Sequence, residues 1–156
     1  DYLGGKTLRA VVQKVAQENV KVDGNIIGEI GKGLLVLLGM QESDDEKVME
    51  YMIDKIIHLR IFEDEEGKMN LSLKDVNGEL LIVPNFTLYG DARKGKRPSY
   101  TKAAPPVVAE KLYNTFVEKA KATGIKTEQG KFQSHMEVSL LNDGPVTILI
   151  DSDKTF

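Results

Sequence analysis

The segment GLLVLLG at positions 33–39 restricts the fold more than any other part of this chain. Leu34, Leu35, Val36, Leu37 and Leu38 follow one another between two glycines. Neighbouring side chains of a strand point to opposite sides of its sheet, so a run with no polar face must be covered from both sides. Its length suits a strand and falls far short of the roughly 20 apolar residues that cross a bilayer. A central strand is predicted, and the rest of the chain must supply its cover.

Residues 8–15 are rich in Val and read as a strand, and NVKV at 19–22 reads as another, joined through Asp23 and Gly24 to Asn25, Ile26 and Ile27 as a hairpin. Ser43 with Glu46 three residues later has the form of a capping box, and Val48, Met49, Met52, Ile53, Ile56 and Ile57 recur at helical spacing behind it. HLRIF at 58–62 is predicted to be a strand ended by the acidic turn EDEEG, and GELLIV at 78–83 a strand running into Pro84 at an edge or bend. Pro105 and Pro106 suit a second helix start, Leu112, Tyr113, Phe116 and Ala120 its buried face, and Gly124 its end. GIKTEQG, MEVSLL and VTILI return to strand pattern. The predicted class is α+β, a mostly antiparallel, barrel-like β-sheet with two helices, forming one domain over 8–156. Residues 1–7 lack the alternation that begins at Leu8 and read as an upstream extension or a cloning remnant.

With 156 residues, 41% of them hydrophobic, one core can form without staples. A formal charge of −3 argues against a long nucleic-acid footprint, so any RNA contact is expected to be local. The absence of cysteine excludes disulfides, thiolate zinc sites and a cysteine nucleophile, and cytoplasm is the expected compartment. No membrane segment and no signal-peptide pattern are found, nor any GxSxG, HExxH, P-loop or GxGxxG motif. His58 and His135 stand far apart and read as structural or surface residues, so neither a metal nor a cofactor is expected. The acidic runs at 44–46 and 63–66 read as capping and solvation.

Three segments remain. PNFTLYGD at 84–91 interrupts a strand with Pro-Asn; taken alone it is a bent edge strand with Thr87 in solvent. NDGPVT at 142–147 splits two strand-like runs with Gly144-Pro145, which taken alone is a turn. RKGKR at 93–97 carries four cations, Arg93, Lys94, Lys96 and Arg97, on a loop suited to phosphate contacts or simply to solvation.

Together these segments resemble the D-aminoacyl-tRNA deacylase family from Leu8 to about Asp151. The likeness includes QKV at 13–15, GEIGKGLLVLLG at 28–39, LRIFEDEEGKMNLSL at 59–73 and the two signatures, PNFTL for the family's SQFTL and an intact NDGPVT. Pro84-Asn85 stands for Ser-Gln, and Lys14 for the arginine that braces the Gly-Pro loop. The resemblance implies a homodimer that hydrolyses tRNA charged with a D-amino acid or glycine. It implies a cis Gly144-Pro145 peptide reaching into the partner's site to exclude L side chains, with Asn85 on the substrate. It further implies that Phe86 and Thr87 act mainly through main-chain groups that stabilise the oxyanion, while the tRNA 2′-hydroxyl assists. Thr87 as nucleophile is the competing mechanism. A related deacylase with a relaxed filter, and a non-enzymatic RNA-binding barrel using the RKGKR loop, are the alternative functions.

Overall fold

A computed structural model describes residues 8–156; the expectation for residues 1–7 lies outside them. The elements are β1 (Arg9–Val22), β2 (Asn25–Ile30), β3 (Gly33–Gly39), α1 (Glu46–His58), β4 (Phe62–Glu63), β5 (Met69–Leu71), β6 (Glu79–Pro84), a 3-10 turn (Phe86–Tyr89), α2 (Pro106–Lys121), β7 (Thr127–Gln129) and β8 (Glu137–Asp151). The main sheet has the order β2-β1-β3-β6-β7, and β8 lies along the other edge of β1. It is mixed: β1 pairs antiparallel with β2, β3 and β8, whereas β3–β6 and β6–β7 are parallel. Each parallel step needs a crossover, and α1 and α2 occupy those crossovers.

β3 is buried on both faces, as its sequence requires. Leu34, Val36 and Leu38 join the core beneath α1 and α2, together with Met49, Met52, Ile56, Phe116 and Ala120. Leu35 and Leu37 point the other way, toward Val15, Val20, Ile30, Leu81 and Val83. That second cluster is the interior of a nearly closed barrel, since β2 curls back until a Cβ placed on Gly28 would lie 3.0 Å from the Gln129 carbonyl oxygen of β7. Tyr113 of α2 donates its hydroxyl to the Ile82 carbonyl at 2.6 Å and accepts the Gly130 N–H at 3.2 Å, anchoring the helix to β6 and the end of β7.

Four local expectations differ. The two strands predicted within 8–22 are one, because β8 pairs along nearly all of β1 and bridges the irregularity at Val15–Gln17. The runs MEVSLL and VTILI are likewise a single strand carrying an outward bulge. α1 is capped by Asp45, whose carboxylate accepts the Val48 N–H at 3.0 Å; adjacency to the first helical residue places its oxygen closer to that donor than Ser43 can bring one. α1 also continues through His58, since burying Ile56 and Ile57 holds the last turn, and of the predicted HLRIF strand only Phe62 forms strand, joined by Glu63 of the predicted turn.

Glu18 of β1 is 2% exposed, and neither carboxylate oxygen has a hydrogen-bond partner among the described residues. Burial therefore pushes its carboxyl up to about 8, so the folded chain holds a proton that the unfolded chain releases near the ordinary value of 4.5. Stability must fall as pH rises between those values. Glu18→Gln removes the ionisation, and urea unfolding at pH 5 and pH 8 is expected to show a wild-type loss of up to roughly 4 kcal/mol relative to the variant. Parallel pH curves would contradict this account.

Candidate active site

The parallel ladder between β3 and β6 ends at the pair Leu38 and Pro84. β7 covers β6 only from Leu80 to Ile82, so Pro84 stands past the last partner on that side, at the end of an interior strand where no N–H is needed. The Asn85 N–H donates to the Leu38 carbonyl at 2.8 Å as a final rung, and the chain then folds into the 3-10 turn in place of the predicted bent strand. The Asn85 side chain drives that change. Its Oδ1 accepts the Thr87 N–H at 3.1 Å and also accepts the Thr87 hydroxyl, while the Asn85 and Thr87 carbonyls accept from Leu88 and Gly90. A Cβ on Gly90 would lie 3.0 Å from the Thr87 carbonyl oxygen and 3.1 Å from Tyr100, so a larger residue there would press on the turn and on that ring.

Phe86, 59% exposed, meets Tyr100 edge to face at 5.1 Å and 74°. Tyr100 is brought there by reciprocal bonds between Asp91 and Ser99 across the base of the RKGKR loop. Beside this pair opens a cavity of about 780 Å³ whose walls include Pro84, Asn85, Phe86, Thr87, Tyr100, Ala104, Pro105, Phe132, His135 and Met136. Of the residues singled out in the sequence, Asn85, Phe86 and Thr87 line this cavity. Sequence reasoning did not locate Tyr100, Ala104, Phe132 or His135 in the site; the small residues of KAAPP were the available signal for a wall that leaves room for a ligand.

Among the described residues no nucleophile and base are hydrogen-bonded to each other in this cavity. The Thr87 hydroxyl donates to an amide oxygen, which is not a base, and among the described residues His135 makes no hydrogen bond. The Phe86 N–H is also without a hydrogen-bond partner among them, and Phe86 is one of the residues that line the cavity. The arrangement therefore offers a main-chain donor, aromatic and apolar walls, and an asparagine amide.

Gly144 and Pro145 do not line this cavity. Between the pairs Gln13–Thr147 and Val15–Asn142, residues 143–146 bulge outward opposite Lys14, exposing Gly144 and Pro145, and the peptide between these two is cis as predicted. Asn142 closes the base of the bulge: its Oδ1 accepts the Val146 N–H at 2.8 Å, and its Nδ2 donates to the Val146 carbonyl and the Thr147 hydroxyl, both at 3.2 Å. Gly144 is required at the tip, where a Cβ would sit 2.9 Å from the Val146 nitrogen. Lys14 reaches this loop from below, its ammonium 4.0 Å from the Asp143 carboxylate and 5.4 Å from the Phe62 ring centre.

The four cations are not equivalent. Arg93 binds Asp91 through Nε at 2.9 Å and Nη2 at 2.7 Å, holding the Asp91 carboxyl down at about 2. Lys94, Lys96 and Arg97 are exposed and unpaired among the described residues.

The family model for D-Tyr-tRNA(Tyr) deacylase matches residues 11–151. The D-aminoacyl-tRNA deacylase of Thermosipho africanus is 58% identical over 149 residues, covering 96% of this chain and all of the relative. That of Clostridioides difficile is 59% identical with the same coverage. Among solved structures, the c-Myc DNA unwinding element binding protein superposes with a TM-score of 0.85 at 42% identity, over 91% of this chain and 97% of the other.

Because Asn142 bonds both main-chain groups of Val146, Asn142→Ala is expected to cost about 1–3 kcal/mol. It should also accelerate hydrogen exchange at the Val146 amide. Unfolding midpoints and amide exchange test this; unchanged exchange at Val146 would show that the loop is held by something else.

Proposed function

The chain belongs to the D-Tyr-tRNA(Tyr) deacylase family and hydrolyses the ester of D-aminoacyl-tRNA, and from that premise we propose that its own contribution to the chemistry is main-chain positioning at the Asn85–Thr87 corner. The observation that carries this reading is a cavity lined by Phe86, whose N–H has no hydrogen-bond partner among the described residues, and in which none of those residues forms a hydrogen-bonded nucleophile and base. Water attacks the ester carbonyl and gives up a proton by way of the neighbouring 2′-hydroxyl, the oxyanion forms opposite the Phe86 N–H, and the bond to the 3′-oxygen breaks as that oxygen takes up a proton, leaving the free D-amino acid and a 3′-hydroxyl. The Thr87 N–H joins as a second donor when the Asn85 amide turns to the substrate. The neighbouring 2′-hydroxyl of the ribose assists the attack, so the enzyme need supply only geometry and charge stabilisation.

Chiral selection is assigned to Gly144-Pro145 of a second copy of the chain. The bulge is exposed and lies outside its own chain's cavity, so one protomer's tip entering its partner's cavity brings the two signatures together. Leu140, Leu141 and Leu149, between 37% and 56% exposed along β8, provide apolar area for such a homodimer. An L side chain would collide with the Gly-Pro backbone; glycine, having no side chain, passes. Lys94, Lys96 and Arg97 contact tRNA phosphates, with Arg93 recruited only if it leaves Asp91. No helix among the described residues is long and apolar enough to cross a membrane, and the reading places the enzyme with its charged tRNA in the cytoplasm.

Thr87→Ala separates the mechanisms. Loss of the hydroxyl leaves the main chain in place, so single-turnover cleavage of D-tyrosyl- and glycyl-tRNA is expected to fall about tenfold or less, roughly 1.4 kcal/mol of barrier, with L-alanyl-tRNA still resistant. A dead variant that coexists with fast wild-type cleavage of a 2′-deoxy substrate would make Thr87 the nucleophile. Replacing Lys94, Lys96 and Arg97 by Ala together should weaken tRNA binding and flatten its salt dependence by about two to three log units per log unit of salt, leaving the D over L ratio in place. An unchanged slope would assign the loop to solvent alone.

A further inference from the structure

A site that works through a main-chain donor is adjusted by whatever fixes the backbone around it. The turn carrying Phe86 and Thr87 is held at its start by the Asn85 rung to β3. Its other end is held by Arg9, the first residue of β1. Arg9 Nη1 donates to the Leu88 carbonyl at 3.3 Å, and the guanidinium lies 5.2 Å from the centre of the Tyr89 ring. Tyr89 is buried, with its hydroxyl donating to the carbonyl of Gly39 at 3.0 Å, and Gly39 is the ladder partner of Arg9. A Cβ on Gly39 would lie 2.9 Å from Tyr89, so the turn rests directly on the end of β3.

The same guanidinium faces β8 and the segment beyond it. Arg9 Nε donates to Asp151 at 3.2 Å, and the Asp151 carboxylate is fully buried. Asp151 also accepts the Asp153 N–H at 2.7 Å and the Thr155 hydroxyl at 2.6 Å, while the Phe156 ring centre lies 5.8 Å from the Arg9 guanidinium. A surface ion pair would contribute little, but this one joins a buried carboxylate, a carbonyl of the active-site turn and two aromatic rings through one planar group.

We infer that Arg9 is a positioning residue for the hydrolysis, setting the active-site turn through the Leu88 carbonyl and Tyr89 and coupling it to Asp151 and residues 152–156. The inference rests on the main-chain reading of the site. Arg9 touches no residue of the Gly-Pro filter, so it sets rate and not stereochemistry. Misplacing a reacting geometry by about 1 Å can cost on the order of a hundredfold.

The test is single-turnover and steady-state cleavage of D-tyrosyl-tRNA by Arg9→Ala, Arg9→Lys and Asp151→Asn enzymes whose folded fraction is measured alongside. Arg9→Ala is expected to lower kcat by roughly 10- to 100-fold while KM moves less than about threefold and the D over L ratio is kept. Added methylguanidinium should restore part of kcat, and backbone amide shifts of Phe86 and Thr87 should move in Arg9→Ala and return with it. Arg9→Lys, which keeps the charge but not the fork, should lie between Arg9→Ala and wild type. If Arg9→Ala does not fold, Arg9→Lys and Asp151→Asn carry the same comparison of kcat with amide shifts. A folded variant with wild-type kcat, or a loss matched by the unfolded fraction and unmoved by methylguanidinium, overturns the inference. These outcomes are distinct from failure of the main-chain mechanism, which a dead Thr87→Ala enzyme would report whatever Arg9 does.

Discussion

Burial of β3 on both faces is the constraint from which the rest of this molecule follows. Its alternate residues belong to two separate cores, Leu34, Val36 and Leu38 under the helices and Leu35 and Leu37 inside the barrel. One face demands helices, and the other demands that the sheet curl around it. A strand so covered also accepts a parallel neighbour, and β6 takes that place. The parallel register carries Pro84 to the end of β3, and Asn85 leaves the sheet there. The position of the cavity is thus a consequence of how far a buried strand can extend before its partners end.

Two asparagines then do the work that regular structure has stopped doing. Asn85 accepts the Thr87 N–H and hydroxyl at one irregular corner, and Asn142 closes residues 143–146 at another. A carboxamide presents an acceptor and donors on a short stem, so it can replace a missing ladder partner for neighbouring backbone. The outcome is a pair of backbone corners fixed by side-chain amides, one carrying the exposed Phe86 and the other the exposed Gly144-Pro145 peptide. On the main-chain mechanism proposed above, placement matters more than reactive side chains, and ties such as Arg9 to the Leu88 carbonyl and Asp151 would then bear on chemistry as well as on packing.

Much of this was legible beforehand for physical reasons. The central strand, the apolar faces of both helices, the Asp23-Gly24 hairpin and the cis Gly144-Pro145 peptide were expected, the last from family resemblance and the others from periodicity and turn chemistry. Ends and interruptions were less legible. Ser43 and Asp45 are both competent caps by type, and only the helix start distinguishes them. HLRIF reads as strand by composition, yet burying Ile56 and Ile57 favours another helical turn.

The sequence by itself determined that a two-faced strand needs cover on both sides, where the chain breaks, which residue types could and could not do chemistry, and which family the chain resembles, because these are properties of neighbours along the chain. Tertiary structure alone decided that the sheet is mixed, that Tyr100 and His135 share a cavity with Asn85, that Arg93 is occupied by Asp91 while its neighbours are unpaired among the described residues, and that Arg9 reaches Leu88 and Asp151. Most of those pairs are separated by tens of residues or more, and Asp91 and Arg93 reach each other only as their loop folds. No local pattern records which distant groups a packed core will bring within a few ångströms.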